Sequence, residues 1–166
     1  MNNHFFHTRI TLAAVFASVV LVLSATACGT ARNHSPGAAV NSSGAAMKRA
    51  AHTLDTALAG CRASGGATSY SHCIDNAYQT SGFVAAIHNY TAALATAEGT
   101  VSGECKVSVE AERRAYDAYA TITERIHHDQ AAINMAGFIT DAAARKQLAP
   151  RVAETSVARR AACNHS

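Results

Sequence analysis

The stretch 47–61, MKRAAHTLDTALAGC, predicts the fold class of the chain. Its apolar residues recur at alternating steps of four and three, a spacing that places them on one face of an α-helix. This stripe consists of Met47, Ala51, Leu54, Leu58 and Cys61. The positions off the stripe include Lys48, Arg49, His52, Asp55 and Arg62. We therefore predict an amphipathic helix over residues 45–63, ended by Gly65-Gly66.

Two more segments carry the same helical spacing. The second helix is expected from near Cys73 to Gly99, with a bend at Ser81-Gly82 because glycine is unfavourable inside a helix. Its stripe is Phe83, Ile87, Tyr90, Leu94 and Ala97. The third helix is expected to start near Glu104. Its stripe is Val109, Glu112, Tyr116, Tyr119, Thr123 and Ile126.

The boundary between the third and a fourth helix has two candidate positions. Gly137 is a typical helix stop, after which Thr140 or Asp141 would cap a fourth helix running to about Cys163. A turn at His128-Asp129 is the alternative. Pro150 lies inside the last helix in both cases and is expected to kink or split it. The fold class predicted is all-α, an antiparallel four-helix bundle over residues 45–166.

Residues 1–27 have the pattern of an export signal. The fourteen residues 10–23 are mainly apolar and uncharged, too short a run for a membrane span of ~20 residues but typical of a secretory signal. Small residues occupy 24–27, as a cleavage site requires. Residues 28–44 follow, rich in Gly, Ser, Asn and Ala, and are predicted to be a flexible tether.

Ala25-Thr26-Ala27-Cys28 resembles a bacterial lipobox, whose last residue is always Cys. The departure is Ala25, where Leu is commonest. The resemblance implies that Cys28 carries a diacylglyceryl lipid, with palmitate as a typical acyl chain, and becomes the mature N-terminus. The protein would then be a lipoprotein on the extracytoplasmic side of the cell membrane. The alternative is a plainly secreted protein with a free Cys28.

The cysteine count agrees with lipidation, because removing Cys28 leaves an even set of four. In a four-helix bundle, Cys61 and Cys73 lie at one end, and Cys105 and Cys163 lie at the other. A second helix of about 26 residues separates the ends by ~39 Å, whereas a disulfide needs Cα atoms within ~7 Å. We therefore predict the pairs Cys61–Cys73 and Cys105–Cys163.

The charge of the chain is close to balanced, with a formal net value of +3 at pH 7. This argues against nucleic acid as a partner. The C-terminal segment 140–166 is locally basic, and a solvated helix face is the expected explanation. Contact with anionic lipid or a cell-wall polymer is the alternative. The basic residues are Arg145, Lys146, Arg151, Arg159 and Arg160.

The stretch 124–136, ERIHHDQAAINMA, resembles a signature of exported, histidine-rich, ferritin-like proteins, several of them linked to copper. The matching residues are Ile126, His128, Ala132, Ile133, Met135 and Ala136. Asp129 replaces the second His of that signature and Arg125 its first Met. The resemblance implies a soft Met and imidazole site suited to copper.

A short internal sequence similarity extends this candidate metal site. Residues 87–97 align with 126–136, which pairs His88 with His127. The candidate metal ligands are His88, His127, His128 and Met135. The competing interpretation is that these histidines lie on exposed helix flanks. Haem ligation is a further alternative for the tyrosines, which are otherwise expected in or near the core; they are Tyr78, Tyr90, Tyr116 and Tyr119.

The sequence lacks the motifs of nucleophilic, phosphate-loop or zinc-protease catalysis. The expectation is therefore a non-enzymatic, disulfide-stapled helical domain on a membrane tether, with an interaction or structural role toward an envelope protein or polymer. No cofactor is expected in that role. A copper-binding lipoprotein is the alternative function.

Overall fold

The protein is an antiparallel four-helix bundle, described here by a computed structural model over residues 36–63 and 65–164. The helices are α1 (Pro36–Cys61), α2 (Ala67–Ser81), α3 (Phe83–Glu98), α4 (Gly103–Ala131) and α5 (Met135–Cys163). The short helices α2 and α3 follow one another as the second arm. α1 packs against α2 and α3, and α4 packs against α2, α3 and α5. Among the described helices, none is long and apolar enough to cross a membrane.

The interior is formed by the predicted apolar stripes. All five stripe residues of the second arm and all six of the third helix are buried, from Phe83 to Ile126. In α1, Met47, Leu54 and Cys61 are buried. Both predicted disulfides are confirmed, with Cα atoms 5.6 Å apart in Cys61–Cys73 and 4.7 Å apart in Cys105–Cys163. Each bridge closes one end of the bundle.

The predicted tether over 28–44 is wrong in its second half, because α1 begins at Pro36. Residues 28–35 and the export signal lie outside the described residues. Continuing the four-three spacing back from Met47 gives Gly44 and Val40, and Val40 is 2% exposed. Gly44 lies against Tyr90, where an added Cβ would be 3.2 Å from the ring carbon Cε2. Pro36 fits the helix start because proline is tolerated at the first helical position.

The second arm starts earlier than predicted and is broken, not bent. α2 begins at Ala67, and Gly82 separates it from α3 in the left-handed conformation, with φ of 62°. Glycine adopts this backbone without steric cost. The hydroxyl of Ser81 accepts a hydrogen bond from the Phe83 N–H at 3.3 Å.

Both predicted positions for the turn between the last two helices are wrong. α4 continues to Ala131, and α5 begins at Met135 with the Asn134 side chain accepting from the Gly137 N–H. Ile133 lies in the turn at φ 56°. Gly137 is thus in the first turn of α5. There it allows close packing, because an added Cβ would be 2.3 Å from Asp129 Oδ2.

The last helix is not split at Pro150, contrary to one predicted outcome. α5 runs without interruption from Met135 to Cys163. Pro150 is exposed, so its ring is on the solvent side of the helix. It has no N–H to donate to the carbonyl oxygen of Lys146.

Candidate functional site

The break at Gly82 opens a cleft between the second arm and α4. The cleft has a volume of about 400 Å³. It is lined by Tyr78, Gln79, Gly82, Val84, Ala85, His88, Glu124 and His127. Gly82 itself lines the cleft, so the break between α2 and α3 is part of the site.

Two histidine–carboxylate contacts connect α4 to the two halves of the broken arm. His88 Nε2 on α3 lies 2.7 Å from Glu124 Oε1 on α4. His127 Nε2 on α4 lies 2.8 Å from Asp75 Oδ1 on α2. The contacts therefore lie on opposite sides of Gly82 along the chain. Together they connect α4 to both halves of the arm.

Tyr78 forms the inner wall of the cleft. Its ring stacks on the His127 imidazole, with centroids 4.5 Å apart and planes 14° from parallel. Tyr78 is 3% exposed, and burial raises the pKa of its hydroxyl to about 12. The phenol therefore stays neutral, with the Arg145 guanidinium beside it. The stacked pair gives the cleft an aromatic surface.

Asp75 remains an acceptor at the edge of the cleft. The hydrogen bond with His127 is the main cause that holds the pKa of this carboxyl below its usual value, and a second bond from Gln79 adds to it. The Gln79 amide donates to Asp75 Oδ2 at 2.8 Å. The edge of the cleft thus presents amide, imidazole and carboxylate groups, while Val84 and Ala85 supply its apolar part.

The predicted metal ligands are only partly brought together. His88 and His127 line the cleft, but the His128 side chain is 82% exposed and Met135 is 50% exposed at the start of α5. Consecutive helical residues point about 100° apart, so His127 faces α2 while His128 faces solvent. The described residues contain no group of three or more His, Cys, Asp or Glu side chains placed to hold a metal ion.

A buried polar network in the core was not identified from the sequence. Glu112 is 0% exposed and accepts hydrogen bonds from the Tyr90 hydroxyl at 2.7 Å and from Ser156 Oγ at 2.6 Å. Its second oxygen pairs with Arg159 Nε. Burial first, and the Glu112 charge second, raise the pKa of Tyr90. A glutamate inside an apolar stripe was the available signal, since a buried charge needs a partner.

The predicted solvated basic face is wrong for two of its five residues. Arg145 and Arg159 are each 9% exposed. Arg159 pairs with Glu112 on α4, and Arg145 lies beside Tyr78 on α2 and the Asp55 carboxylate on α1. Lys146 and Arg151 are exposed. Two basic residues of the last helix thus contact other helices of the bundle.

The four candidate haem tyrosines belong to the core. Tyr78, Tyr90, Tyr116 and Tyr119 are all 7% exposed or less. Tyr90 and Tyr116 pack edge to face with centroids 4.8 Å apart. This agrees with the predicted packing role.

The cleft is a shallow groove, more open than enclosed. It offers an aromatic wall, an apolar patch and polar groups of both hydrogen-bonding kinds, so it can contact a partner's side chain but does not enclose a small ligand. Comparison of the chain with protein-family models, with curated proteins and with solved structures found no significant match.

Proposed function

We propose that this chain is an extracytoplasmic lipoprotein, held at the cell membrane by a lipid on Cys28, whose helical domain binds another component of the cell envelope. The two disulfides carry the proposal. They join both ends of the bundle, and such bonds persist in oxidising compartments outside the cytoplasm. The lipobox-like residues before Cys28 support the proposal that a lipid on Cys28 anchors the chain to the membrane.

The cleft at Gly82 is the proposed binding site of this domain. Its His88 and Glu124 side chains are about half exposed, at 53% and 48%. They can exchange their mutual hydrogen bond for bonds to a ligand. Tyr78 and His127 are held more firmly by stacking and by Asp75. A protein side chain or a polymer unit with both polar and apolar parts fits these surroundings.

Site-specific photo-cross-linking in intact cells tests the binding role. A photoreactive residue replaces Gln79 at the edge of the cleft, and the control replaces Thr53, an exposed residue on α1. We expect a cross-linked envelope component at Gln79 and none at Thr53. The variant Glu124→Gln should reduce the yield at Gln79. Equal patterns at both positions would contradict a role for the cleft.

Copper binding is the second candidate function, and one observation favours it: His88 and His127 line the same cleft. Each ring is already bonded to a carboxylate, so a metal would have to displace those contacts. Titration with Cu(I), Cu(II) and Zn(II) during thermal melting tests this, because a ligand of the native state raises the melting temperature. The variant His88→Ala/His127→Ala is the control. No shift at a large excess of any of these ions would exclude this function.

A further inference from the structure

The last helix buries several polar residues and exposes several apolar ones. Its buried residues include Asp141, Arg145, Ser156 and Arg159, together with Phe138 and Val152. Three of these polar residues bond charged side chains of α4. Asp141 pairs with Arg125, and Ser156 and Arg159 bond Glu112. These polar contacts hold α5 in the bundle together with the Cys105–Cys163 disulfide and the packing of Leu148 and Val152. The outward face of α5 carries an apolar stripe beside exposed polar residues such as Gln147, Arg151 and Glu154.

The outward stripe of α5 consists of Met135, Ile139, Ala143, Lys146, Pro150, Ala153, Val157 and Ala161, all exposed. At about 100° per residue, these eight positions fall within an arc of about 80°. Lys146 is the single charged member. Ile139 is 60% exposed and Val157 48% exposed. A patch of a few hundred Å² is about the size of the largest apolar patch on a typical monomer, and such patches are often interaction sites.

The stripe is compatible with a two-fold axis at position 148. The intervals between consecutive stripe residues are 4, 4, 3, 4, 3, 4 and 4 positions, and the series is the same in both directions along the sequence. When the helix is laid antiparallel on a copy of itself, Ile139 meets Val157 and Ala143 meets Ala153. Met135 meets Ala161 in the outer layer. Interfaces of this isologous kind are the commonest in homo-oligomers.

The sizes of the side chains suit such a contact. Ala143 and Ala153 lie near the midpoint, and the larger Ile139 and Val157 lie farther out. Long helices curve with their convex side toward solvent, so two outer faces approach most closely at the middle and separate toward the ends. Small residues at the centre permit the approach. Larger residues fill the widening space on each side.

The single charge of the stripe has a chemical partner in this arrangement. Pro150 cannot donate to the carbonyl of Lys146, which therefore lacks its usual intrahelical donor. Lys146 of one copy lies opposite Pro150 of the other, one turn from that carbonyl group. An ammonium group is a donor that can reach it. The ammonium group of Lys146 in one copy can thus bond the carbonyl oxygen that Pro150 leaves without an intrahelical donor in the other copy.

We propose that two copies of this chain associate through the outer faces of α5, antiparallel about a two-fold axis near position 148. The stripe spans about 39 Å, and a contact width of about 10 Å gives roughly 400 Å² on each chain. The total of about 800 Å² is below the ~1,200–2,000 Å² of stable complexes. The dimer is therefore weak and depends on local concentration.

Photo-cross-linking of the full chain in the cells that produce it tests the dimer. A photoreactive residue replaces Ile139, and the matched control replaces Val107, which is 67% exposed on α4. We expect a product of twice the chain mass from position 139 and not from 107. Peptide mapping should join position 139 to residues 153–161. Within one helix position 139 lies about 21 Å or more from these residues, so the link must be intermolecular.

The charge variants V157E and V107E complete the experiment. V157E should lower the dimer yield at position 139 at least tenfold, and V107E should leave it unchanged. The mapped position decides the question even where V157E fails to fold. A missing dimer, a link from 139 to 139, or a link from 139 to lipid or to a different protein would overturn the proposal.

Discussion

The carboxylate of Glu112 on α4 and the guanidinium of Arg159 on α5 form an ion pair inside the bundle. Glu112 is 0% exposed, and two hydroxyl groups complete its hydrogen bonds. Burial of two charges costs several kcal/mol unless both are paired and hydrogen-bonded. The pair therefore fixes how α5 sits on α4 and depends strongly on both members.

Removing one member of this pair should destabilise the protein strongly. We expect Arg159→Ala to lower the free energy of unfolding by roughly 3–5 kcal/mol, because Glu112 is left charged and unpaired. The control Arg114→Ala removes an exposed pair with Glu110 and should cost under about 0.5 kcal/mol. Urea unfolding monitored by circular dichroism measures both. The double variant Glu112→Leu/Arg159→Met should recover part of the loss, because it removes the unpaired charge but leaves the buried Tyr90 hydroxyl without its acceptor. No recovery would contradict this account.

Two glycines of α1 should respond oppositely to the same substitution. Gly44→Ala places a methyl group 3.2 Å from the Tyr90 ring, so we expect a loss of stability despite the better helix propensity of alanine. Gly60 has nothing within 4 Å of an added Cβ, and Gly60→Ala should stabilise the protein by up to about 1 kcal/mol. Thermal melting compares the two variants. A gain of stability in both would show that α1 does not pack closely on Tyr90.

The turn between α4 and α5 contains backbone strain that a substitution can relieve. Ile133 is a β-branched residue at φ 56°, a conformation that costs roughly 1–2 kcal/mol for residues with a Cβ. Its side chain is 50% exposed, so Ile133→Gly loses little packing. We expect this variant to raise the melting temperature. Ile133→Ala, which keeps the Cβ, should give a smaller gain, and a lower melting temperature for the glycine variant would disprove the strain.

The contact between His127 and Asp75 should make stability depend on acid pH. Because this bond lowers the pKa of Asp75 in the folded state, the contact stabilises the protein above the unfolded pKa of about 3.9. The contribution is lost as the pH falls through the lower folded pKa. Urea midpoints from pH 2 to 7 should therefore fall less steeply below about pH 4 in Asp75→Asn than in the native chain. Identical slopes in the two proteins would refute the contact.

The helical core could be predicted because local spacing determines it. The buried stripes from Phe83 to Ala97 and from Val109 to Ile126 follow from period alone, and the disulfide pairs follow from the order of the helices. The errors come from partners distant in sequence. Gly44 packs in α1 against Tyr90, and Arg159 is buried because it pairs with Glu112 on α4. Ile133 takes a turn conformation that its residue type disfavours.

The candidate site was predictable only in part for the same reason. The Glu124 and His127 pair shares a helix face and could be found from its spacing, and the internal sequence similarity indicated His88. The cleft itself depends on the break at Gly82, whose left-handed conformation separates α2 from α3. His128 and Met135 could not be separated from the site until the end of α4 was known. Spacing alone does not determine where a helix stops.

The mature N-terminus is the most direct test of the proposed function. Mass spectrometry of the N-terminal tryptic peptide, residues 28–32, from the membrane fraction identifies it. We predict a peptide that begins at Cys28 and carries the mass of a diacylglyceryl group, absent in Cys28→Ser. A peptide that begins at an unmodified Cys28, or one that retains residues before it, would contradict the lipoprotein account.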